Sequence, residues 1–443
     1  MKYQSYHLHN YTSIKGIGKL SAADRKAIEI TGRILPFKAN NYITELIDWD
    51  NIPEDPIFTL CFPRKEMLQN VHFEQVEQLI THGKSDMQIK EIVHDIRHTL
   101  NPNPSGQHLN VPSIGNIKLN GMQHKYRQTV LFFPSQGQTC HAYCTFCFRW
   151  PQFSGMEGMK FAMKEAELLT QYLKEHKEVT DLLFTGGDPL TMNTSQIAIY
   201  VDALLDAGLQ NIQTIRFGTK AFAYWPYRFL TDPDSDELMR VFDKIVRTGK
   251  NLAIMAHFNH PVELSTNVVE ESIRRVRSTG AQIRTQSPVL NHINYKPELW
   301  AEMWRKQVNF NCIPYYMFVA RDTGAKEFFE LPLEGCWNTF RKAYQLVSGV
   351  CRTVRGPSMS ATPGKIQVLG ISEIRGEKVF VLRFLQGRNP DWVARPFFAK
   401  YNPEATWLNM LQPAFDEDKF FFEDELETLY NEDYRYSEAA NFE

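Results

Sequence analysis

The sequence predicts an α/β fold, built on a parallel βα sheet or a partial barrel and preceded by a helical N-terminal extension. Two observations predict it. From about residue 129, short apolar runs alternate with longer amphipathic stretches, as in chains whose strands are joined by crossover helices. Several amphipathic stretches also begin at polar capping residues and stop at glycines, which is the expected punctuation of helices.

Six of the short apolar runs are predicted strands. They are Thr129–Phe133, Asp181–Thr185, Ile212–Phe217, Leu252–His257, Gln282–Gln286 and Ile313–Val319. Polar residues recur where these runs end, for example at Gly186–Asp188, Gly218–Lys220 and His257–His260. Core packing explains the apolar runs but not the polar residues. Because the chemistry of parallel sheets lies at the carboxyl ends of the strands, we expect a functional site there.

Helices are predicted between the strands and before them. Phe73–Ile80 and Met87–Thr99 have the apolar spacing of helices. Three further helices have both a polar cap and a terminal glycine, and these pairs are Asn193 with Gly208, Asp234 with Gly249, and Ser265–Thr266 with Gly280.

Three segments follow from these patterns. Residues 1–120 form a mostly helical N-terminal region, in which Asn101–Gly106 is a run of breakers typical of a linker. Residues 121–355 form the α/β core. In the C-terminal segment, residues 356–443, Gly356–Gly364 has the composition of a loop, and Ile366–Gly370 and Val379–Leu385 are expected to pair as strands. The tail from Asp416 is acidic and aromatic.

Charge and composition exclude several classes of function. The chain has 443 residues, 43% of them hydrophobic, with 49 Lys and Arg against 51 Asp and Glu. The net charge of -2 argues against a protein that binds nucleic acid or an anionic membrane as its main task. No apolar run approaches the roughly 20 residues that span a bilayer, and the N-terminus lacks a signal-peptide core. We therefore expect a cytoplasmic protein.

Three of the seven cysteines lie within eight residues, in the pattern CxxxCxxC formed by Cys140, Cys144 and Cys147. Three thiolates at this spacing fit three irons of a [4Fe–4S] cluster, which leaves the fourth iron open to a small molecule. A structural zinc site usually requires four ligands, and a dithiol redox pair does not explain the third cysteine. The cluster is favoured, with zinc or coincidence as the alternatives.

The cysteine triad after the first predicted strand resembles the signature of the radical S-adenosylmethionine (SAM) superfamily. The resemblance implies a six-stranded partial (β/α) barrel, whose open iron binds SAM for reductive cleavage to a 5′-deoxyadenosyl radical. Gly186, Gly187 and Asp188 are similar to the turn after the second strand that receives the SAM amino group. A GGD sequence alone usually marks only a turn.

A closer resemblance, over roughly residues 33–385, is to the lysine 2,3-aminomutase family. These radical SAM isomerases also carry pyridoxal 5′-phosphate (PLP). The matching stretches include Cys147–Arg149, Thr185–Leu190, His257–Pro261, Pro314–Tyr316 and Pro363–Ile366. The resemblance places Lys365 at the PLP lysine, in a C-terminal segment that follows the barrel. Residues 359–364 differ from the glycine-rich run of the family.

The same resemblance implies roles for other residues. Arg149 matches the arginine that receives the substrate carboxylate, a task for which a guanidinium is suited. His257 and Gln286 match positions that line the SAM site. A structural salt bridge for Arg149 and a core position for His257 are the alternatives. The residues near the expected phosphate site of PLP are Lys125, Tyr126 and Arg127.

The substrate-binding positions depart from the family pattern. Lysine-acting members hold the distal ammonium of the substrate with two aspartates. Arg321 and Ser358 occupy those positions here. A buried ammonium facing Arg321 would be repelled without a compensating charge. This predicts an acidic substrate, glutamate or aspartate. Asp322 is the counter-argument, because a local shift that brings it into the pocket would restore a carboxylate for lysine. A further alternative is that Arg321 simply pairs with Asp322 at the surface.

The sequence thus predicts an amino acid 2,3-aminomutase, an isomerase that moves an amino group from Cα to Cβ, with a [4Fe–4S] cluster, SAM and PLP. Expected partners are a small amino acid substrate and an electron donor such as flavodoxin or ferredoxin, with a homo-oligomer as an open possibility. The rivals are a lysine 2,3-aminomutase, a PLP-free radical SAM enzyme with another substrate, and a non-enzymatic metal-binding module.

Overall fold

The computed structural model describes residues 1–102, 110–156 and 161–429. The predicted linker Asn101–Gly106 lies mostly outside the described residues, as does the end of the acidic tail. Residues 423–429, in the described part of that tail, are helical.

The chain forms β-strands throughout, of which all but four join one sheet. They are β1 (Ser5–Tyr6), β2 (Ala39–Asn40), β3 (Ser113–Ile114), β4 (Ile117–Lys118), β5 (Met122–Tyr126), β6 (Thr129–Phe132), β7 (Asp181–Phe184), β8 (Thr214–Thr219), β9 (Asn251–His257), β10 (Gln282–Val289), β11 (Ile313–Val319), β12 (Arg355–Ser360), β13 (Gly364–Ile374), β14 (Glu377–Gly387) and β15 (Pro396–Lys400).

The helices that bear on the site are numbered in chain order. They are α1 (Ala22–Ile34), α2 (Asn41–Leu46), α3 (Pro56–Cys61), α4 (Asn70–Thr81), α5 (Asp86–Thr99), α6 (Ala166–Glu175), α7 (Thr194–Asp206), α8 (Ala221–Tyr224), α9 (Ser235–Arg247), α10 (Asn267–Arg277), α11 (Pro297–Asn309), α12 (Lys326–Phe329) and α13 (Leu333–Gln345).

The main sheet has 11 strands, and its spatial order follows the chain from β5 to β15. Strands β6 to β12 are parallel, whereas β5 and the group β13 to β15 are antiparallel to their neighbours. The predicted α/β fold and all six predicted strands are confirmed, with shifts of up to three residues at their ends. Parallel neighbours require crossover connections, and these contain the helices α6, α7, α9, α10, α11 and α13. The carboxyl ends of the parallel strands therefore lie along one edge.

Central strand β9 is a continuous apolar run because both of its faces are covered. Residues 252–256 are all buried. In β10, buried and partly exposed positions alternate instead, and its inward face includes polar side chains. Thr285 donates a hydrogen bond to Oε1 of Gln307 at 2.7 Å, so this buried hydroxyl is satisfied.

The interpretation of residues 356–364 as a loop is wrong for its first part. Arg355–Ser360 is strand β12, parallel to β11, and the expected boundary between residues 355 and 356 falls inside it. The composition misleads because Gly, Pro and Ser are typical of turns. Here glycine serves a close approach, since a Cβ on Gly356 would lie 2.4 Å from the Met317 carbonyl oxygen.

The predicted pairing after Lys365 is confirmed. Strands β13 and β14 form a long antiparallel hairpin. Its two-residue turn, Arg375–Gly376, has φ values of 54° and 78°, which fit the right-handed twist of a hairpin. The hairpin brings Lys365 opposite Gln386.

The predicted helices are confirmed, but one cap is not. Asn193 and Gln196 form a capping box at α7, and Thr266 accepts a hydrogen bond from the Val269 amide at α10. The Asp234 side chain does not cap α9. Its carboxylate instead accepts from the Thr194 amide at 2.6 Å and ties α7 to the start of α9.

The N-terminal region is mostly helical, as predicted, and packs into the same hydrophobic core as the sheet. Helices α1, α4 and α5 contact one another, and each buries an apolar face. Within the described residues, no helix combines the length and apolar character needed to cross a bilayer.

Candidate active site

The residues predicted to hold the cluster and SAM gather at the carboxyl edge of the parallel strands. The loop of residues 139–147, called the cysteine loop below, follows β6, and Gly186–Gly187 follows β7. Lys220 follows β8, and His257 ends β9 in register with Gln286 on β10. The sheet thus brings together residues that are up to 146 positions apart in the sequence, from Cys140 to Gln286.

The N-terminal region holds the outer side of the cysteine loop. The Tyr143 amide donates to the Lys38 carbonyl at 2.8 Å, and the Thr145 amide donates to the Leu60 carbonyl at 2.9 Å. The Lys38 ammonium donates to the Cys140 carbonyl at 2.6 Å. The loop is therefore clamped through its backbone, which leaves the cysteine side chains available.

The three cysteine side chains lie in a buried environment and influence one another. Burial, followed by the charges of Asp188, Cys147 and Cys144, raises the pKa of the Cys140 thiol well above its usual range. Burial raises the pKa of Cys144 to about 12 and that of Cys147 to about 11. Buried thiolates require a compensating cation, which the irons of a cluster would supply. Among the described residues, no three His, Cys, Asp or Glu side chains are already arranged around one metal position.

The glycine turn after β7 packs directly on the cysteine loop. Gly186 has φ +139°, and a Cβ on Gly187 would lie 2.3 Å from the Thr139 carbonyl oxygen. The Asp188 amide donates to the same carbonyl at 2.6 Å. The turn needs glycine for this approach, which leaves backbone groups facing the loop.

Substitution of Gly187 by alanine is expected to push the turn away from Thr139, because the contacted atoms belong to backbone and cannot rotate aside. We expect a loss of about 1–3 kcal/mol in the free energy of unfolding and less iron per chain after reconstitution. Urea unfolding and iron analysis measure both. Gly349→Ala is the matched control, since nothing lies within 4 Å of its added Cβ. Equal effects of the two substitutions would contradict the prediction.

The Asp188 carboxylate connects two strand ends. It accepts hydrogen bonds from the Thr219 hydroxyl at 2.9 and 2.8 Å, from the Lys220 amide at 2.8 Å and from the Leu190 amide at 3.0 Å. With these donors, the side chain fixes the position of the turn, and the backbone of Gly186–Gly187 is the part that faces the cysteine loop.

His257, at the end of β9, contacts the cysteine loop. Its ring lies edge-on to Phe146, with the centroids 5.7 Å apart, and its buried Nε2 has no hydrogen-bond partner. Burial, and then the charge of Lys220, lowers the pKa of His257 well below its usual range. A neutral imidazole with an unsatisfied nitrogen at this edge is a binding group for a polar ligand.

Lys220 forms a buried ion pair behind this edge. Its ammonium lies 2.6 Å from Oε1 of Glu263 and donates to Oδ1 of Asn259 at 2.8 Å. Glu263 is 1% exposed. The ion pair anchors the segment after β9 to the end of β8.

Lys365 lies on β13 with its ammonium over the ring of Tyr316, 4.1 Å from the centroid. It donates to Oε1 of Gln386 at 3.1 Å. Burial, then the charges of Arg216 and Arg355, lowers the pKa of Lys365 to about 7. An amine that loses its proton near neutral pH is a nucleophile suited to an aldehyde cofactor.

The pKa of Lys365 predicts a pH dependence for its reaction with an aldehyde. The folded pKa lies below the ordinary value of 10.5, so the ammonium loses its proton near pH 7 rather than near pH 10. The rate of PLP attachment to the cluster-free chain is expected to rise about tenfold from pH 6 to pH 8 and then level off. Stopped-flow absorbance of PLP measures this rate. A rate that keeps rising toward pH 10 would contradict the prediction.

Lys125 reaches the same region from β5. Its ammonium donates to the Ala361 carbonyl. Burial, then the charges of Arg388, Arg321 and Lys365, lowers the pKa of Lys125 well below its usual range. Several cations therefore act on one another here, and an anion bound among them would relieve their repulsion.

The three residues predicted near a phosphate separate in the structure. Lys125 lies in this cationic region, and the Tyr126 hydroxyl is held neutral by burial, which raises its pKa above its usual range. Arg127 instead lies exposed in the turn between β5 and β6. The structure does not bring Arg127 to the other two.

Arg149 and Arg321 meet at one aromatic ring. Their guanidinium carbons lie 5.1 and 5.4 Å from the centroid of Phe148. Arg149 also lies over Phe133 at 4.7 Å. Burial is the first cause that lowers the pKa of Arg149 to about 10, and the charge of Arg321 adds to it. Two guanidinium groups thus converge beside the cysteine loop.

Arg321 has one carboxylate neighbour. Its Nε lies 3.6 Å from Oδ1 of Asp322 and has no hydrogen-bond partner, while its Nη1 donates to the Ser360 carbonyl at 2.9 Å. Ser358 is fully buried, and its hydroxyl donates to the Met317 carbonyl at 3.4 Å. Ser358 therefore fills a position inside the sheet, whereas Arg321 lies at its carboxyl edge.

The sequence of the chain is similar to a known domain family and to known proteins. The family described as "4Fe-4S single cluster domain" matches residues 127–247, which contain the cysteine loop. A protein of Aquifex aeolicus named "Putative L-lysine 2,3-aminomutase" is 30% identical over 89% of this chain and 93% of its own length. The chain belongs to the lysine 2,3-aminomutase family.

Other members and neighbours are more distant from this aminomutase. The L-lysine 2,3-aminomutase of Bacillus subtilis is 25% identical over 69% of this chain and 55% of its own length. The glutamate 2,3-aminomutase of Clostridioides difficile is 26% identical over 43% of this chain and 42% of its own length. A radical SAM methyltransferase from Sphaerobacter thermophilus aligns with a TM-score of 0.37 and 13% identity, over 66% of this chain and 94% of its own.

The protein is thus a radical SAM isomerase of the aminomutase type, with a [4Fe–4S] cluster and SAM. The aminomutase structure fits both groups. Three partly buried cysteines lie on one clamped loop, and the unsatisfied Nε2 of His257 and the glycine turn lie beside them. Cys140, Cys144 and Cys147 would hold the cluster. The metal-binding module without enzymatic activity is excluded by membership of the family.

Several residues of the aminomutase site escaped the sequence analysis. Arg216 on β8 forms an ion pair with Asp181 on β7, N to O 2.7 Å, and both charges act on Lys365. Arg355 lies over Tyr316, 4.5 Å from the ring centroid. These residues fall within strands rather than after them. A charged residue in an otherwise apolar strand was the available signal.

Proposed function

We propose that this radical SAM aminomutase also binds PLP, and that it moves the amino group of an acidic amino acid, glutamate or aspartate, from Cα to Cβ. The observation that carries the proposal is the excess of cations near Lys365 and Arg321. The charges of Arg216 and Arg355 act on Lys365, and those of Arg321 and Lys365 act on Lys125.

The first support for PLP is the environment of Lys365. The Lys365 amine, over the Tyr316 ring and hydrogen-bonded to Gln386, is placed to hold an aldehyde covalently. PLP, when bound, supplies an aldehyde and a conjugated ring that delocalises an unpaired electron. Lys365 would hold the cofactor in the site through its aldehyde carbon.

The second support is the charge of the site. Lys125 and Arg388 lie where a phosphate would neutralise their repulsion. Arg388 donates to the Thr362 carbonyl at 3.0 Å and to Asn110 at 2.6 Å, so its guanidinium is held in a fixed orientation. Two elements from opposite ends of the sheet would therefore bind the phosphate jointly.

The acidic substrate is supported by the pair of guanidinium groups at Phe148. Arg149 would bind the α-carboxylate, and Arg321 the distal carboxylate, because planar guanidinium groups bind carboxylates with two parallel hydrogen bonds. Asp322 forms an ion pair with Arg321, N to O 3.6 Å, and reduces the positive charge that Arg321 would offer to a substrate. A lysine substrate would use Asp322 instead, and this is the alternative that the experiment tests.

The proposal also covers the partners of the enzyme. A one-electron donor such as flavodoxin or ferredoxin would reduce the cluster, and a small amino acid would enter at the carboxyl edge of the sheet. A homo-oligomer is compatible with the partly exposed Trp337, Phe340 and Tyr344, which line a surface cavity of 360 Å³ on α13.

The test is anaerobic reconstitution with iron, sulfide, PLP, SAM and dithionite, followed by separate incubation with lysine, glutamate, aspartate, glutamine and alanine. Mass spectrometry detects β-amino acids. Product from glutamate or aspartate supports the proposal, and product from lysine alone overturns the acidic substrate. Borohydride labelling of Lys365 tests PLP independently. Deoxyadenosine without labelling would favour a radical SAM enzyme that lacks PLP.

Replacement of Arg321 by glutamine is expected to lower kcat/KM for the acidic substrate by about 100-fold, because a carboxylate would lose its charged partner. Arg321→Lys should recover part of the loss, since it restores the charge without the planar fork. Steady-state kinetics on glutamate and aspartate measure this. Arg240→Gln, at an exposed position of α9, is the control. Unchanged kinetics in Arg321→Gln would sink the assignment.

A further inference from the structure

A buried tyrosine connects the cysteine loop to two other parts of the molecule. The Tyr224 hydroxyl, at the end of α8, lies 3.2 Å from Sγ of Cys144. On its other side, Sγ of Cys61, from α3, donates to the Tyr224 oxygen at 3.5 Å. Tyr224 is 3% exposed and Cys61 is 1% exposed. The neighbouring cysteines, Cys140 and Cys147, have no such contact with a hydroxyl that is recorded within the described residues.

The direction of these hydrogen bonds follows from chemistry. A cysteine that binds iron is a thiolate and has no proton to donate. The Tyr224 hydroxyl is then the donor and Cys144 the acceptor. Cys61 is not part of the CxxxCxxC pattern, so it keeps its proton and fills the acceptor position of the Tyr224 oxygen. The two contacts are compatible only in this arrangement, in which the phenolic proton points at the Cys144 sulfur.

Lys220 strengthens the donor. Its ammonium lies over the Tyr224 ring, 4.5 Å from the centroid, and is fixed there by Glu263 at 2.6 Å. A cation over the ring favours electron density on the ring and away from the proton, so the phenol becomes a better donor. Asn40 holds the backbone at the same place, because its amide donates to the Tyr224 carbonyl at 2.8 Å.

We propose that Tyr224 is a positioning residue for the reduction of the cluster, donating a hydrogen bond to the Cys144 sulfur and so making the cluster easier to reduce. Reduction adds one electron, delivered by a low-potential one-electron donor, and no covalent bond to the protein forms or breaks. The added negative charge spreads onto the ligand sulfurs, and a hydrogen bond to one of them stabilises the reduced form. The phenolic proton stays on Tyr224.

The experiment is a redox titration of the reconstituted full-length chain, followed by electron paramagnetic resonance of the reduced cluster. In Tyr224→Phe, the ratio of reduced to oxidised cluster at a fixed potential is expected to fall about tenfold, which corresponds to about 59 mV for one electron. Tyr42→Phe is the matched control, because it also removes a buried hydroxyl, one that contacts Thr266 at 2.9 Å and no cysteine. A midpoint that is unchanged in Tyr224→Phe, with full iron content, overturns the proposal.

A structural role alone would lower the iron content or the thermal stability without moving the midpoint, and that outcome also overturns the proposal. If Tyr224→Phe binds no cluster, the proposal is tested on the wild-type chain instead. Reconstitution in D2O should place an exchangeable deuteron within coupling range of the reduced cluster, detected by electron–nuclear double resonance. Its absence overturns the proposal. Neither measurement needs PLP or a substrate, so the result is independent of the proposed function.

Discussion

Replacement of Cys144 by alanine is expected to reduce the amount of bound iron from about four atoms per chain to nearly none. It should also abolish SAM cleavage. The reason is the spacing of the ligands. Cys140 and Cys147 alone would hold two irons, the loop holds no fourth thiol, and Cys61 lies on the other side of the Tyr224 hydroxyl. Iron analysis, absorbance near 400 nm and assay of deoxyadenosine measure the effect.

The control for this substitution is Cys312→Ala, because Cys312 is also buried but precedes β11 at the opposite edge of the sheet. It should retain its iron and its SAM cleavage. Full iron content in Cys144→Ala would contradict the assignment of the triad. Loss of iron in both variants would point to general unfolding, which circular dichroism would reveal.

Replacement of Lys365 by methionine is expected to abolish covalent capture of PLP by borohydride and to lower amino group migration by roughly two to four orders of magnitude, the cost of removing one reacting group. Methionine retains much of the aliphatic volume over Tyr316, so folding and iron content should be retained. Absorbance of bound PLP, peptide mapping after borohydride and product analysis measure the outcome.

An assay of SAM cleavage distinguishes loss of PLP binding from loss of the cluster. Deoxyadenosine should still form in Lys365→Met, since the cysteine loop lies at the end of a different strand. Lys342→Met on exposed α13 is the control and should behave as the unaltered enzyme. Retention of PLP on another lysine in Lys365→Met would overturn the assignment.

The positions of the strands and of the cysteine loop were predictable because they depend on local patterns. An apolar run of four to eight residues between polar stretches predicts a buried strand, and this rule located β6 to β11. The same rule missed β12, since Gly356 and Pro357 are typical of turns. The close contact of Gly356 with Met317 exists only after the strands have paired.

The electrostatic partners of the site were not predictable in the same way. Asp181 and Arg216 are 35 positions apart in the sequence, and their ion pair depends on the register of β7 with β8. Asp234 was predicted as a helix cap from its position alone, yet Arg228 and Thr194 compete for its carboxylate. Contacts between distant residues follow from the register of the sheet, which composition and periodicity do not specify.

The backbone hydrogen bonds that clamp the cysteine loop have a consequence for an enzyme that loses its cluster to oxygen. The bonds from Lys38 and Leu60 to the loop are made by main-chain groups and do not involve iron. A chain that loses its iron to oxygen would therefore keep the three thiols in their neighbourhood, already folded. Rebinding of iron and sulfide would then not require the loop to refold.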